Sequence, residues 1–369
     1  MSELPYELFV ACAPGLEPWL CSELTGLGLV PKATRGGAEL NVELSGVYRV
    51  LLGCGLGLRA LLRIARFRVV RFAQLERELM QLTWDAWLPA SPRVAVKVTA
   101  RKSRLYHSGA IAERVQRVLS ERMDARPADK DAEVCVFVRI EHDQCMVSLD
   151  LCGSPMQQRG YRQQTAKAPL REDLARALLM VAGYDGSQAC VDPLCGSGTL
   201  AIEAAMLSMG LAPGRQRSFA VQHLAIHDSS VEQAVHEQLV SSAAILRAPI
   251  IASDRDQGAV AAAQGNAARA NVLSHIQISC RAISNVELPA SSTGGLIVCN
   301  PPYGKRMGRA EALRDLYAAI GRLRQSAPAD YRLALVTSDP QLAAATGINL
   351  ASALMTDFGG IKVRFYVEG

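Results

Sequence analysis

The second half of the chain repeats one unit. A short apolar run that reads as a strand meets an abrupt stop, and a helix-length stretch follows. The runs are Ala189-Cys190-Val191, Pro249-Ile250-Ile251-Ala252-Ser253, Ile276-Gln277-Ile278-Ser279, Leu296-Ile297-Val298 and Arg332 to Thr337, with Gly360 to Val367 as a final strand. Strands alternating with helices specify βα units and a mostly parallel sheet. Such a sheet binds ligands in the crevice at the carboxyl ends of its strands. The residues that end each run are therefore where chemistry is expected.

Two of these stops stand out. After Val298 come Cys299-Asn300-Pro301-Pro302-Tyr303. Neither proline can donate to a ladder, so the strand must end. An amide oxygen and adjacent backbone carbonyls are then closely spaced acceptors, which suits a substrate NH2 group. The tyrosine ring gives a flat base a surface to stack on. A strand-ending turn that needs only rigidity is the alternative reading of the two prolines. The other stop is Asp192-Pro193-Leu194-Cys195-Gly196-Ser197-Gly198-Thr199, a glycine turn between strand and helix. It is neither the GxGxxG fingerprint nor a Walker A loop. Asp254 closes the next strand, where a carboxylate can accept from both hydroxyls of a ribose. Capping of the following helix is the alternative, and the two roles are compatible. Turn, acid and asparagine describe one crevice: an adenosine ligand across it, and a substrate amine entering from the far side.

The first half is an α+β pattern. Glu7 to Ala11 reads as a strand, Gly15 to Leu27 as a helix, and Gly36-Gly37 as a turn into Glu39-Leu40-Asn41-Val42. Between Arg59 and Arg77, six arginines interleave with apolar residues, either as a solvated face or as a phosphate-facing stripe. Val94, Val96 and Val98 mark a half-buried strand that runs into Arg101-Lys102-Ser103-Arg104-Leu105-Tyr106-His107. Cations beside an aromatic ring make this the better nucleic-acid candidate, with a solvated loop as the alternative. Ser108 stands where a helix cap is expected, and Val134 to Ile140 and Cys145 to Leu151 read as a hairpin. Gly153 to Lys167 is polar and reads as a linker, and Ser229 with Glu232 has the spacing of a capping box.

Composition excludes some classes. With 49% hydrophobic and 20% charged residues, the 369-residue chain can bury large cores and is not a disordered tether. A net charge of +5 permits a nucleic-acid partner without arguing for one. Ten cysteines without a C-x-x-C pair fit a reducing cytosol, so a cytoplasmic location and no metal site are expected. No apolar run approaches the ~18 residues of a membrane span.

Taken in order, Gly15-Leu16-Glu17, Gly36-Gly37, Asp150-Leu151-Cys152-Gly153, Arg159-Gly160-Tyr161-Arg162, Ala168-Pro169-Leu170-Arg171-Glu172, Asp192 to Thr199 and Asn300-Pro301-Pro302-Tyr303-Gly304 resemble the THUMP-containing RNA guanine-N2-methyltransferases. The likeness covers nearly the whole chain. It is strongest toward the bacterial 23S rRNA members, and there toward the N-terminal half of a fused enzyme. The sequence stops at Gly369, so a second fused enzyme is expected to be absent.

The resemblance implies a ferredoxin-like unit over 1–58, a THUMP domain over 59–152, a linker over 153–167 and a Rossmann-like class I methyltransferase domain over 168–369. It implies S-adenosylmethionine as cofactor and a guanosine N2 amine of 23S rRNA as substrate. tRNA is the alternative substrate, and an RNA-binding module with an inactive methyltransferase fold the alternative class. Pro169, Leu170, Asp192, Cys195, Gly196, Ser197, Gly198 and Thr199 would line the cofactor, and Asp254 would hold its ribose. Asn300, Pro301, Pro302 and Tyr303 would form the catalytic turn, with Asn300 and the Pro301 carbonyl accepting from the amine and Tyr303 stacking on the base. Arg101, Lys102, Arg104, Lys305 and Arg306 would meet RNA. One departure stands out: relatives carry an acidic residue after the third strand to contact the adenine amine, and here Ser284, followed by Asn285, takes that place.

Overall fold

The computed structural model describes residues 5–164, 169–241, 245–289, 293–303 and 310–369. One-sided burial sets up the first sheet: along Val134–Glu141, buried and more open residues alternate, as a strand with one covered face requires. The N-terminal elements are β1 (Tyr6–Ala11), α1 (Glu17–Gly26), β2 (Lys32–Thr34), β3 (Gly37–Val42) and α2 (Leu44–Gly53). Then come β4 (Arg59–Arg68), α3 (Phe72–Met80), β5 (Arg93–Arg101), α4 (Ser108–Met123), β6 (Arg126–Pro127), β7 (Val134–Glu141) and β8 (Gln144–Asp150).

These eight strands form one sheet in the order β2-β3-β1-β4-β8-β7-β5-β6. β4 is its keystone. Leu62 pairs with Leu8 of β1 on one side and with Leu149 of β8 on the other. β7 and β8 are joined through His142 and Asp143, whose φ angles of 51° and 62° are those of a two-residue type I′ hairpin turn.

Three of the four arginines of β4 are paired internally, and Arg68 is exposed. Arg59 pairs with buried Asp150, Arg63 with Glu7 at 2.9 Å and Glu39 at 2.8 Å, and Arg66 with Glu7 at 3.4 Å. Of the stripe from Arg59 to Arg77, the first three arginines face carboxylates of this sheet, which fits the reading as a solvated face for that part. Ser108 is the first helical residue of α4 rather than its cap, and His107, which holds the cap position, makes no side-chain capping bond.

The second sheet contains β9 (Ala189–Asp192), β10 (Ile250–Asp254), β11 (Gln277–Cys280), β12 (Gly295–Cys299), β13 (Tyr331–Thr337), β14 (Leu350–Phe358) and β15 (Ile361–Glu368). The intervening helices are α5 (Glu172–Val181), α6 (Thr199–Ser208), α7 (Ser229–Ser241), α8 (Gln257–Arg269), α9 (Ala310–Ser326) and α10 (Pro340–Ala344). Strand order is β11-β10-β9-β12-β13-β15-β14. β9 to β13 run parallel, and β15 is inserted antiparallel between β13 and β14. Chain direction across the sheet reverses between β9 and β12, which makes that gap the topological switch point.

Asp228, not Ser229, caps α7: its Oδ1 accepts from the Ser230 and Val231 amides at 2.9 and 3.2 Å. Glu232 instead accepts from Gln222. The stretch between the sheets is not a solvated spacer over its whole length. Arg159 and Tyr161 are each only 2% exposed. The Tyr161 hydroxyl donates to Glu203 at 3.1 Å, and Arg159 donates to the Gly55 carbonyl at 2.5 Å. Arg176 of α5 then reaches Glu23 of α1 at 2.6 Å. A buried charge cluster thus seams the two halves.

Candidate active site

The site is built by three strand ends. In register, Ala252 of β10 lies beside Asp192 of β9, and Val191 lies beside Ile297 of β12. Asp254 and Asn300 therefore follow two residues beyond the positions flanking the end of β9. Asp192, the glycine turn, Asp254 and the Asn300 turn are brought together at the carboxyl edge of the sheet.

The turn after β9 needs its glycines. Gly196 and Gly198 hold φ angles of 51° and 83°, in the left-handed region. A Cβ at Gly198 would also stand 3.0 Å from the Ala263 methyl of α8. The turn is tied on three sides: the Cys195 amide donates to the Ser253 carbonyl at 2.9 Å, the Gly196 amide to Asp254 Oδ2 at 3.1 Å, and Asn266 Nδ2 to the Ser197 carbonyl at 2.9 Å. Ser197 and Thr199 are buried, and Thr199 opens α6. Asp254 does not cap α8. That role falls to Asp256, whose Oδ1 accepts from the Gly258 and Ala259 amides. Asp254 accepts instead from Gly196 and, at 3.0 Å, from the Asp256 amide.

Burial tunes the acids and thiols. Asp192 is 1% exposed, and burial pushes its carboxyl up to about 8, with Asp254 pushing the same way against the Leu194 amide. Burial holds the Cys195 and Cys299 thiols protonated, and the charge of Asp192 adds to it in both. Neither thiol is a nucleophile here.

The second wall is the turn after β12. Asn300 is half-buried with its Oδ1 withdrawn from solvent, Pro301 is buried, and Pro302 and Tyr303 are half-buried. The Tyr303 ring packs against both hydrophobic clusters, one of which continues into the N-terminal half. Its phenol is pushed up to about 12 by burial, so it stays protonated and is not a base. Behind it, the fully buried Tyr317 hydroxyl of α9 lies 3.5 Å from the Pro302 carbonyl.

Pro169 is half-buried and Leu170 buried just before α5. They are held by Arg162, which donates to the Leu170 carbonyl at 3.0 Å and to Glu172 at 2.9 Å. Glu172 is lifted to about 7 by burial, against the pull of Arg162. Sequence reasoning missed Arg162 and Asn266 as organisers. A lone asparagine within the alanine-rich α8 is the one signal that pointed to the latter.

Ser284 lies beyond β11 in a short 3-10 turn, exposed, with its hydroxyl donating to Asn285 Oδ1 at 3.0 Å. It presents a neutral polar edge where the resemblance called for a carboxylate. Arg101, the last residue of β5, and Lys102 and Arg104 of the loop that follows are exposed, and none makes an ion pair among the described residues. The Arg104 amide is fastened to Asp143 of the hairpin turn at 2.8 Å, which fixes the loop. Lys305 and Arg306 lie outside the described residues, as does Ala168.

Carboxylates facing a glycine turn suit hydroxyls and a cation, and the turn carries no lysine for a polyphosphate. This set of acceptors suits a ligand that brings hydroxyls and positive charge. A sheet with this order, one antiparallel inserted strand, and acid and asparagine stops at its switch point defines the class I methyltransferase fold.

Residues 159–355 match the family described as RMKL-like, methyltransferase domain; residues 70–150 match the THUMP domain; residues 7–63 match the RlmL ferredoxin-like domain. The chain belongs to the RMKL-like methyltransferase family, with a THUMP and an RlmL-type ferredoxin-like domain in front. It is 36% identical over 98% of its length to the ribosomal RNA large subunit methyltransferase K/L of Syntrophotalea carbinolica, covering 53% of that protein. It is 30% identical over 97% of its length to a Synechocystis protein named as a candidate RNA methyltransferase, slr0064, covering 94% of it. The chain spans about half the length of most of the curated relatives it matches. The fold is shared with the crystal structure of SMU.472, a candidate methyltransferase complexed with SAH. That likeness has a TM-score of 0.88 at 23% identity, over 99% of this chain and 98% of the other.

Proposed function

We propose that this protein is an S-adenosylmethionine-dependent RNA methyltransferase that methylates the exocyclic N2 amine of a guanosine in 23S rRNA. The observation that carries the reading is the Asn300 turn at the end of β12, beside the acid-rimmed glycine turn of β9. The names of the relatives support rRNA as the class of substrate, and the THUMP match supports RNA binding.

In this reading Asp192, Gly196 and Gly198 line the methionine end of the cofactor, with Cys195, Ser197 and Thr199 completing the turn. Asp254 would hold the ribose, Pro169 and Leu170 would line the cofactor, and Ser284 or Asn285 would accept from the adenine amine. The bound cofactor supplies an electrophilic methyl group on a sulfonium.

The chain supplies the rest. An aromatic amine is a weak nucleophile because its lone pair is delocalised into the ring. Asn300 Oδ1 and the Pro301 carbonyl accept its two hydrogens, draw the nitrogen toward a pyramidal geometry and free the lone pair. Charge grows on that nitrogen during attack, so acceptors already in place stabilise the transition state more than the ground state. Their withdrawal from water strengthens the effect. Tyr303 stacks on the base, which must be unpaired or flipped to enter. With Tyr303 and the buried thiols protonated, the described residues of the turn include no strong base, and none is needed. The extra proton leaves the cationic product amine to water. Arg101, Lys102 and Arg104, with Lys305 and Arg306, contact phosphates. The test is labelled methyl transfer to rRNA and to tRNA from cells lacking the protein, followed by nucleoside mass spectrometry.

A further inference from the structure

The segment between α6 and β10, which carries α7, is long for an αβ connection, and it does not stay on its own domain. The Gly214 amide donates to the Leu52 carbonyl of α2 at 2.7 Å. The Val221 amide donates to Leu151, just past β8, at 3.1 Å, and the Ala225 amide to Trp87 at 2.9 Å. At the far end Tyr48 of α2, fully buried, meets His227 Nδ1 at 2.8 Å and accepts from the Asp228 amide at 3.0 Å. The other flank is tied to the catalytic half: Gln216 donates to the Arg269 carbonyl, at the end of α8, at 3.0 Å. A Cβ at Gly214 would stand 2.5 Å from the Leu51 carbonyl oxygen, a backbone atom that cannot step aside, so the contact admits only glycine.

Two domains on one chain move relative to each other unless a sizeable buried interface prevents it. Here backbone donors of one segment engage α2, the end of β8 and the Trp87 turn at once. We infer that residues 211–228 are a specificity strap, which locks the catalytic crevice at a fixed distance and angle from the N-terminal RNA-reading sheet. The nucleotide methylated is then the one a structured RNA presents at that fixed reach, and the crevice need not read sequence around it. This rests on the methyl-transfer reading above and adds what selects the target.

The strap residues lie outside the crevice, so loosening them should not touch cofactor affinity. Two variants loosen it differently: Gly214→Val forces the segment off α2, and Tyr48→Phe with His227→Ala removes the side-chain tie without adding bulk. Each is assayed on 23S rRNA from cells lacking the protein, with the modified nucleotides mapped and S-adenosylmethionine Kd measured on the same preparation. The expected result is an unchanged Kd, with methylation at the wild-type nucleotide lowered by up to about 10²-fold or spread to other guanosines. Wild-type yield and position in both variants overturn the strap. So does a loss of transfer matched by an equal loss of cofactor binding, which marks the segment as mere support for the catalytic fold. Absence of any transfer by the wild-type protein overturns the methyl-transfer reading itself, and the strap with it. The double variant keeps the test open if Gly214→Val does not fold.

Discussion

Asp254 accepts a hydrogen bond from the Gly196 amide at 3.1 Å, so the carboxylate ending one strand fastens the glycine turn that follows its neighbour. The same group is the candidate ribose clamp. Asp254→Ala should weaken S-adenosylmethionine binding by roughly 1.5–3 kcal/mol, as for loss of a charged acceptor. Asp254→Asn, which keeps one acceptor oxygen, should recover part of that. Calorimetric titration checks both, and an unchanged Kd in the alanine variant removes Asp254 from the site.

Asp192 makes cofactor binding and stability depend on pH in opposite directions. Its carboxyl is raised to about 8 in the fold, by burial first and Asp254 second, while an unfolded aspartate titrates near ~4. Between those values the native state holds a proton that the unfolded state has lost. Free-protein stability therefore falls as pH rises through that window. A cationic ligand favours the ionised form, so affinity rises over the same range. Asp192→Asn should flatten both trends, raising the melting temperature of the free protein near pH 7.5 while lowering cofactor affinity. Melting and titration series across pH read the two signs, and parallel trends in the wild type contradict the assignment.

The exposed end of β5 and the loop after it should carry affinity for RNA rather than chemistry. Replacing Arg101, Lys102 and Arg104 with Ala should reduce RNA affinity and flatten its dependence on log salt by about 0.7–0.9 per phosphate contact removed. Cofactor binding should not move. Filter binding over a salt series distinguishes this from a solvated loop, for which the slope stays as it was.

The seam between the halves is a stability element. Glu203 is fully buried beside Arg159 and Tyr161, with Arg176 at 3.9 Å. Glu203→Ala strands buried guanidinium charge and should cost about 3–5 kcal/mol. Denaturant unfolding measures it; a loss below ~1 kcal/mol would show the cluster to be solvated in solution.

The crevice was legible in the sequence because its residues admit few alternatives. Pro301 and Pro302 cannot continue a strand, and Gly196 and Gly198 adopt backbone angles that other residues avoid. What stayed hidden depends on tertiary packing. β14 is an edge strand with most side chains exposed, so it lacks the apolar alternation that marks a strand. α2 carries Gly46 and Gly53, which are poor helix formers, within only ten residues, so its propensity signal is weak. Arg159 sits in a polar, glycine-containing stretch that looks solvated, and only the fold supplies Glu203 and the Gly55 carbonyl that let it be buried. Ser229 and Asp228 are equally good caps on paper; the chain's path onto Tyr48 decides for Asp228.

The central claim is that Asn300 presents an amine to a methyl donor, and one paired measurement addresses it. Wild-type and Asn300→Ala protein are given labelled S-adenosylmethionine and 23S rRNA from cells lacking the protein, and the nucleosides are analysed by mass spectrometry. The account predicts N2-methylguanosine from the wild type, turnover lower by about 10²–10³ in the variant, and cofactor affinity kept. Label on another base, or a variant that turns over as fast as the wild type, would contradict it.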